Sequence, residues 1–114
     1  MPQFILLPYF LKQAKRLLKK YPDLKEALTT TFKTFDKRQS DNLGRNIYKI
    51  RLTSRNVNRG KSKPLRLIAL LFEMEDYIIP ITIYSKGTQT NITTKETNTH
   101  LCMILYELRM QKLL

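Results

Sequence analysis

Two periodicities, one helical and one strand-like, take turns along this chain, and their order predicts a fold. Phe4 to Leu7 is a short apolar run ended by Pro8, which reads as a brief strand. Pro8 then suits the first turn of a helix. Phe10, Ala14, Leu17, Leu18 and Tyr21 recur at helical spacing, so Pro8 to Lys20 is an amphipathic helix. Its opposite face carries Lys12, Lys15, Arg16, Lys19 and Lys20, read as a solvated cationic surface. Tyr21-Pro22 breaks that helix and opens a second, with Asp23 and Glu26 near its N-terminal end and an apolar stripe of Leu24, Leu28, Phe32 and Phe35.

After a polar connection, Asp36 to Gly44, the period changes from helical to alternating. Over Asn46 to Thr53, Tyr48, Ile50 and Leu52 point one way and Ile47, Lys49, Arg51 and Thr53 the other. A polar loop, Ser54 to Pro64, leads to Leu65–Met74, which is apolar on both faces and is predicted to be a central, covered strand. Glu75-Asp76 is a tight turn into a strand over Tyr77–Tyr84, where Pro80 requires an edge position or a bulge. Ser85 to Thr94 is polar. Thr93 and Glu96 then have capping-box spacing, and Leu101, Ile104, Leu105 and Leu108 continue as a C-terminal helix. The prediction is an α+β domain: an N-terminal strand and a helical hairpin packed on a mainly antiparallel four-stranded sheet, with a closing helix.

Length and composition fit a single domain spanning residues 1–114, with an apolar fraction of 42%. Cys102 is the single cysteine, so an internal disulfide framework is excluded and a reducing cytoplasm is expected. Lacking a histidine partner upstream, it is expected to be a small buried residue rather than a nucleophile. No apolar run reaches the roughly 20 residues that span a bilayer, and Met1–Leu7 lacks the basic start of a secretory signal.

Charge changes the picture. The chain carries a net +12, and the excess lies entirely in its first part: residues 1–66 hold 17 Lys/Arg against four acids. Arg45 to Arg66 contains eight basic residues (Arg45, Lys49, Arg51, Arg55, Arg59, Lys61, Lys63 and Arg66) and no carboxylate. Such a concentration predicts a polyanionic partner. Two cations sharing one strand face repel unless they meet water or an anion. If the strands on either side of the loop pair, Lys49, Arg51 and Arg66 converge on one phosphate-binding patch, free of carboxylates from the chain itself. The loop cations Arg55, Arg59, Lys61 and Lys63 extend that patch. Gly60-Lys61-Ser62 imitates the end of a P-loop, but Arg55 stands where the earlier glycine is required, so nucleotide binding is rejected.

Other catalytic chemistry is scarce. His100 is the lone histidine, sits inside the last helix and is assigned no role; no His/Cys/Asp/Glu set has metal-ligand spacing. Lysines, arginines and tyrosines remain. They suffice for one metal-free reaction, the attack of a ribose 2′-OH on the adjacent phosphorus, in which fixed cations stabilise the phosphorane. A lysine crowded by arginines has its neutral form favoured and could act as a base.

At this point the chain resembles a known family. KKYP (Lys19–Pro22) between two helices, YKIR (Tyr48–Arg51), RGKS (Arg59–Ser62) and IYSK (Ile83–Lys86) occur in the order seen in the RelE/ParE superfamily of type II toxin–antitoxin toxins. The resemblance runs from about Phe4 to Leu105 and is nearest to the RelE/HigB-like branch. It implies a RelE-like fold, a ribosome-dependent mRNA endonuclease (an mRNA interferase) cutting in the A site, no cofactor or metal, and a cognate antitoxin that holds it inactive. By position it implies Lys49 as the general base, Arg51 and Arg66 as phosphorane-stabilising groups, and Lys86 beside the leaving group. Arg45, Arg55, Arg59, Lys61, Lys63 and Tyr84 would bind RNA or the ribosome. Two departures stand out: Lys63-Pro64-Leu65 precedes Arg66 where many relatives carry Gly-Gly and an aromatic residue, and Thr88–Thr94 lacks the tyrosine that stacks on the substrate base. The alternatives left open are a ParE-like DNA gyrase inhibitor and a catalytically weakened RNA- or ribosome-binding relative.

Overall fold

The switch from helical to alternating periodicity marks where helices give way to sheet. The structure, a computed structural model, describes residues 3–52, 65–85 and 91–112. Its elements are β1 (Gln3–Phe4), α1 (Pro8–Leu17), α2 (Leu24–Thr34), a 3-10 turn over Lys37–Gln39, β2 (Asp41–Asn42), β3 (Ile47–Arg51), β4 (Leu65–Phe72), β5 (Tyr77–Ser85) and α3 (Thr94–Met110). The α+β architecture agrees with the prediction. The sheet has five strands rather than four, in the order β1-β5-β4-β3-β2. β1 pairs with β5 in parallel and every other pairing is antiparallel. The added strand, β2, lies inside the segment read as a polar connection.

β4 occupies the centre, and Leu65, Leu67, Ile68, Ala69, Leu70 and Leu71 are all buried, as its apolar faces require. Pro80 does not put β5 at an edge. Instead the register slips: Ile68 faces Thr82 while Ala69 faces Pro80, so Ile81 has no partner in the β4 register. A bulge is how an interior strand accommodates a residue with no N–H. The Ile81 carbonyl accepts a hydrogen bond from Gln13 Nε2 at 3.2 Å, which ties α1 to the bulge.

α1 ends at Leu17 rather than Lys20, and residues 18–20 form a turn in which the N–H of Lys20 bonds the carbonyl of Leu17 at 3.1 Å. Pro22 limits how far the helix can run on, because the residue before a proline, Tyr21, is disfavoured in the helical region. Phe10 and Ala14 of α1, and Ile104 and Leu108 of α3, are buried in the core shared with β5. Phe4 and Phe32 stack at 4.3 Å between centroids, which fixes α2 against the N-terminal strand. Phe35, just past the end of α2, meets the Tyr48 ring edge-on at 6.0 Å.

α3 begins with the capping box its sequence encodes: Glu96 N–H donates to Thr93 Oγ1 at 3.0 Å, and Thr93 N–H donates to Glu96 Oε1 at 3.2 Å. Cys102 is exposed, contrary to the expectation of burial. It falls between Leu101 and Ile104 in sequence, yet two residues from Ile104 is about 200° around a helix, which turns it to solvent. His100 does have a structural part. Its Nδ1 lies 2.6 Å from the Tyr9 hydroxyl, and the neighbouring backbone N–H of Tyr9 donates to Glu107 Oε1 at 2.9 Å, so both contacts pin α1 to α3.

Burial pulls the His100 pKa below its ordinary value, with Glu96 opposing. The folded pKa is therefore below the unfolded one, and folding favours the neutral ring. That contribution is present above the ordinary histidine value of about 6.5 and is lost as pH falls through it. The melting temperature is expected to fall between neutral and mildly acidic buffer, and to fall less in His100→Gln. Parallel acid slopes for the two proteins would contradict the assignment.

Candidate functional site

Strand pairing brings the separated basic residues together. Lys49 and Arg51 share a face of β3 by alternation. Arg51 faces Arg66 directly across the β3–β4 ladder, and Arg66 faces Tyr84 across β4–β5. On the other side of β3, Asp41 of β2 faces Lys49. Lys49, Arg51 and Arg66 line one cavity of about 480 Å³, whose remaining wall comes from Ile50 of β3 and from the end of α2 and the segment after it: Thr31, Thr34, Phe35, Asp36, Gln39, Ser40 and Asp41.

The electrostatics of this cavity are unusual for an unoccupied surface. Like charges directly opposite each other in a sheet destabilise it. Burial first, and the facing Arg51 second, pull Arg66 below the ordinary arginine value, while Tyr84 and Asp41 act in the other direction. The guanidinium still carries its proton at neutral pH. Neither Arg51 nor Arg66 has an ion pair among the described residues; Arg66 Nη1 makes only a 3.4 Å contact to the carbonyl of Leu65. The planar forks of two such arginines match the geometry of an anion with two or more oxygens.

Lys49 departs from the expectation. Its Nζ lies 3.7 Å from Asp41 Oδ2, an ion pair with a carboxylate of the same chain that counts against a patch wholly free for phosphate, while Arg51 and Arg66 carry no such pair among the described residues. The reason is β2: two exposed polar residues become a strand only by pairing with β3. The β2–β3 hairpin is closed by Gly44, Arg45 and Asn46, all at positive φ, with Leu43 N–H donating to the Ile47 carbonyl at 2.7 Å and Gly44 N–H to Asn42 Oδ1 at 2.8 Å. Three successive left-handed residues reverse the chain tightly enough to bring Asp41 opposite Lys49. Asp41 carries no sequence signal beyond its charge, and reading the segment as a connection missed it.

The other predicted site residues are dispersed. Arg45 sits in the hairpin turn with its Nη2 donating to Asn98 Oδ1 of α3 at 2.7 Å, away from the cavity lining. Tyr84 lies beside Arg66 but belongs to the sheet and is 8% exposed. Burial is the main cause that raises its pKa; Arg66 opposes and Glu96 adds to the rise, so its hydroxyl stays protonated at neutral pH. Arg55, Arg59, Lys61, Lys63 and Lys86 lie outside the described residues. No group of three or more His, Cys, Asp or Glu that could hold a metal occurs among the described residues, and no described helix is long and apolar enough to cross a membrane.

No protein-family model matches the chain, and no curated protein matches it. Among solved structures it is similar to the E. coli toxin RelE, in a double arginine-to-alanine variant in the free state. The TM-score is 0.53 at 16% identity, over 78% of this chain and 87% of that one. Identity this low speaks to the fold alone. The chain has the RelE-like fold that its motif order resembles.

Proposed function

We propose that this chain is the toxin of a type II toxin–antitoxin pair and a metal-independent endoribonuclease that cuts mRNA in the ribosomal A site. The observation that carries this reading is the facing pair Arg51 and Arg66, with Lys49 alongside, around a single cavity. A phosphodiester seated there would meet two guanidinium groups, each able to make paired hydrogen bonds to non-bridging oxygens. As the ribose 2′-OH attacks, charge builds on those oxygens, and the fixed cations stabilise the phosphorane more than the ground state. The RelE-like fold supports the same reading.

The partner side follows from charge. A chain of net +12 with this cavity calls for an acidic antitoxin segment that folds onto the basic surface, and its association should weaken with salt. The site of action is the cytoplasm, where the ribosome is. The test is induced expression, followed by mapping of RNA ends. Translation is expected to stop and ribosome-bound mRNA to be cut inside codons. Arrest with intact mRNA would overturn the reading, and inhibition of purified gyrase supercoiling would replace it with a gyrase poison.

A further inference from the structure

We infer that Asp41 is the proton acceptor of the cleavage reaction, with Lys49 holding the carboxylate and the phosphate rather than serving as the base. The inference rests on the RNA-cleavage reading above. Transesterification needs a group with a free lone pair near the 2′-OH. Arginines offer none, and the Lys49 ammonium in its ion pair has three donors and no acceptor. Two carboxylates line the cavity, Asp36 and Asp41.

Asp36 is already committed. Arg38 clamps it through Nε at 3.2 Å, Nη2 at 3.1 Å and its backbone N–H at 2.9 Å. The Arg38 side-chain and then backbone hydrogen bonds hold the Asp36 carboxyl below the usual range, which makes it a poor base. His100 is at the α1–α3 joint. Asp41 is held less tightly. Its side chain is 74% exposed, and its separation of 3.7 Å from Lys49 Nζ is too long for a hydrogen bond. Both oxygens therefore keep lone pairs for a hydroxyl, and the Lys49 ammonium keeps the carboxylate near the cavity electrostatically. Asp41 also acts electrostatically on Arg66, besides its pairing with Lys49.

The step balances as follows. The 2′-OH gives its proton to the Asp41 carboxylate as the O2′–P bond forms, and Arg51 and Arg66 take the charge of the phosphorane. The P–O5′ bond then breaks, and the departing 5′ oxygen takes a proton from water. The products are a 2′,3′-cyclic phosphate and a 5′-hydroxyl, and the Asp41 carboxylic acid returns its proton to solvent.

The test is single-turnover cleavage of mRNA on programmed ribosomes, with binding measured separately on a substrate carrying a 2′-deoxy sugar at the cut site. Asp41→Asn is nearly isosteric at an exposed position, so it is expected to melt like the wild type. It should lose about 10²–10⁴-fold in cleavage rate, while binding the deoxy substrate as tightly or more tightly. Asp41→Glu should keep part of the activity. Cleavage by Asp41→Asn at or above the wild-type rate would overturn the assignment and make Asp41 a competitor of RNA for Lys49. Lost cleavage with equally weakened binding would also overturn it. A wild-type chain that leaves RNA intact would remove the nuclease reading itself, whereas a cutting wild type beside a cutting Asp41→Asn would remove this assignment alone.

Discussion

Arg66→Ala is expected to slow RNA cleavage by about 10²–10³-fold, the usual cost of deleting one group that stabilises transition-state charge, and to leave the protein at least as stable as before. The two halves of this expectation have the same cause. Arg66 faces Arg51 across β3–β4 with no in-chain carboxylate in contact, and burial already works against its charge. In the free protein this arrangement is a cost. Removing one guanidinium relieves like-charge repulsion across the ladder, so the melting temperature should hold or rise. On RNA the same two charges meet the phosphate and become useful. Function bought with stability is common where a site must be electrostatically primed.

Arg66→Lys separates charge from geometry. It keeps the cation but loses the planar fork, so it should bind RNA nearly as well and recover only part of the rate. The salt dependence of binding should flatten in Arg66→Ala and stay nearly unchanged in Arg66→Lys. Wild-type cleavage by Arg66→Ala would mean that the arginine pair is not where the phosphate sits. A collapse in its melting temperature would mean that Arg66 is a structural residue and that its charge has another partner.

What the sequence made legible, and what it hid, follows from how far each signal reaches along the chain. The capping box at Thr93 and Glu96 is written within four residues and forms as read. Pro80 marks an edge or a bulge because its missing N–H is a local fact, and the strands on either side of β5 decide for the bulge. The two apolar faces of β4 identify a central strand. Because Arg51 and Arg66 flank one loop, antiparallel pairing of β3 and β4 could be expected to bring them together. β2 was hidden because Asp41 and Asn42 are polar and exposed, and only the pairing with β3 makes them a strand. The Asp41–Lys49 contact was hidden with it. Arg45 belongs to the basic stretch in sequence, but the left-handed run Gly44–Asn46 turns it toward Asn98, a direction that charge counting does not encode. The roles assigned to Lys49, Arg51, Arg66 and Lys86 by resemblance remain proposals; the Arg66 variants address one of them directly, and Asp41→Asn bears on that of Lys49.

Phe10→Ala is expected to cost about 3–5 kcal/mol, the usual range for emptying a buried aromatic site. Phe10 is fully buried and lies on the α1 face packed against the core. α1 has little intrinsic stability without this packing: its N-cap, Leu7, makes no side-chain cap bond, and ten residues are too few for an isolated helix to persist. The side-chain bonds of Gln13 to the Ile81 carbonyl and to Thr82 depend on the helix staying docked. Total stabilities of about 5–15 kcal/mol leave little after such a loss, and the melting temperature should drop on the order of 10–25 °C. In urea the midpoint should fall with the slope unchanged, since the surface exposed on unfolding is nearly the same. Phe10 lines no part of the cation cavity. Well below its melting point, the variant should therefore cleave RNA at close to the wild-type rate, the opposite split from Arg66→Ala. A loss under about 1 kcal/mol, below the range for any buried aromatic truncation, would show that α1 does not dock on β5 as described. Full stability loss accompanied by a slow folded enzyme would show that α1 also shapes the cavity through β5.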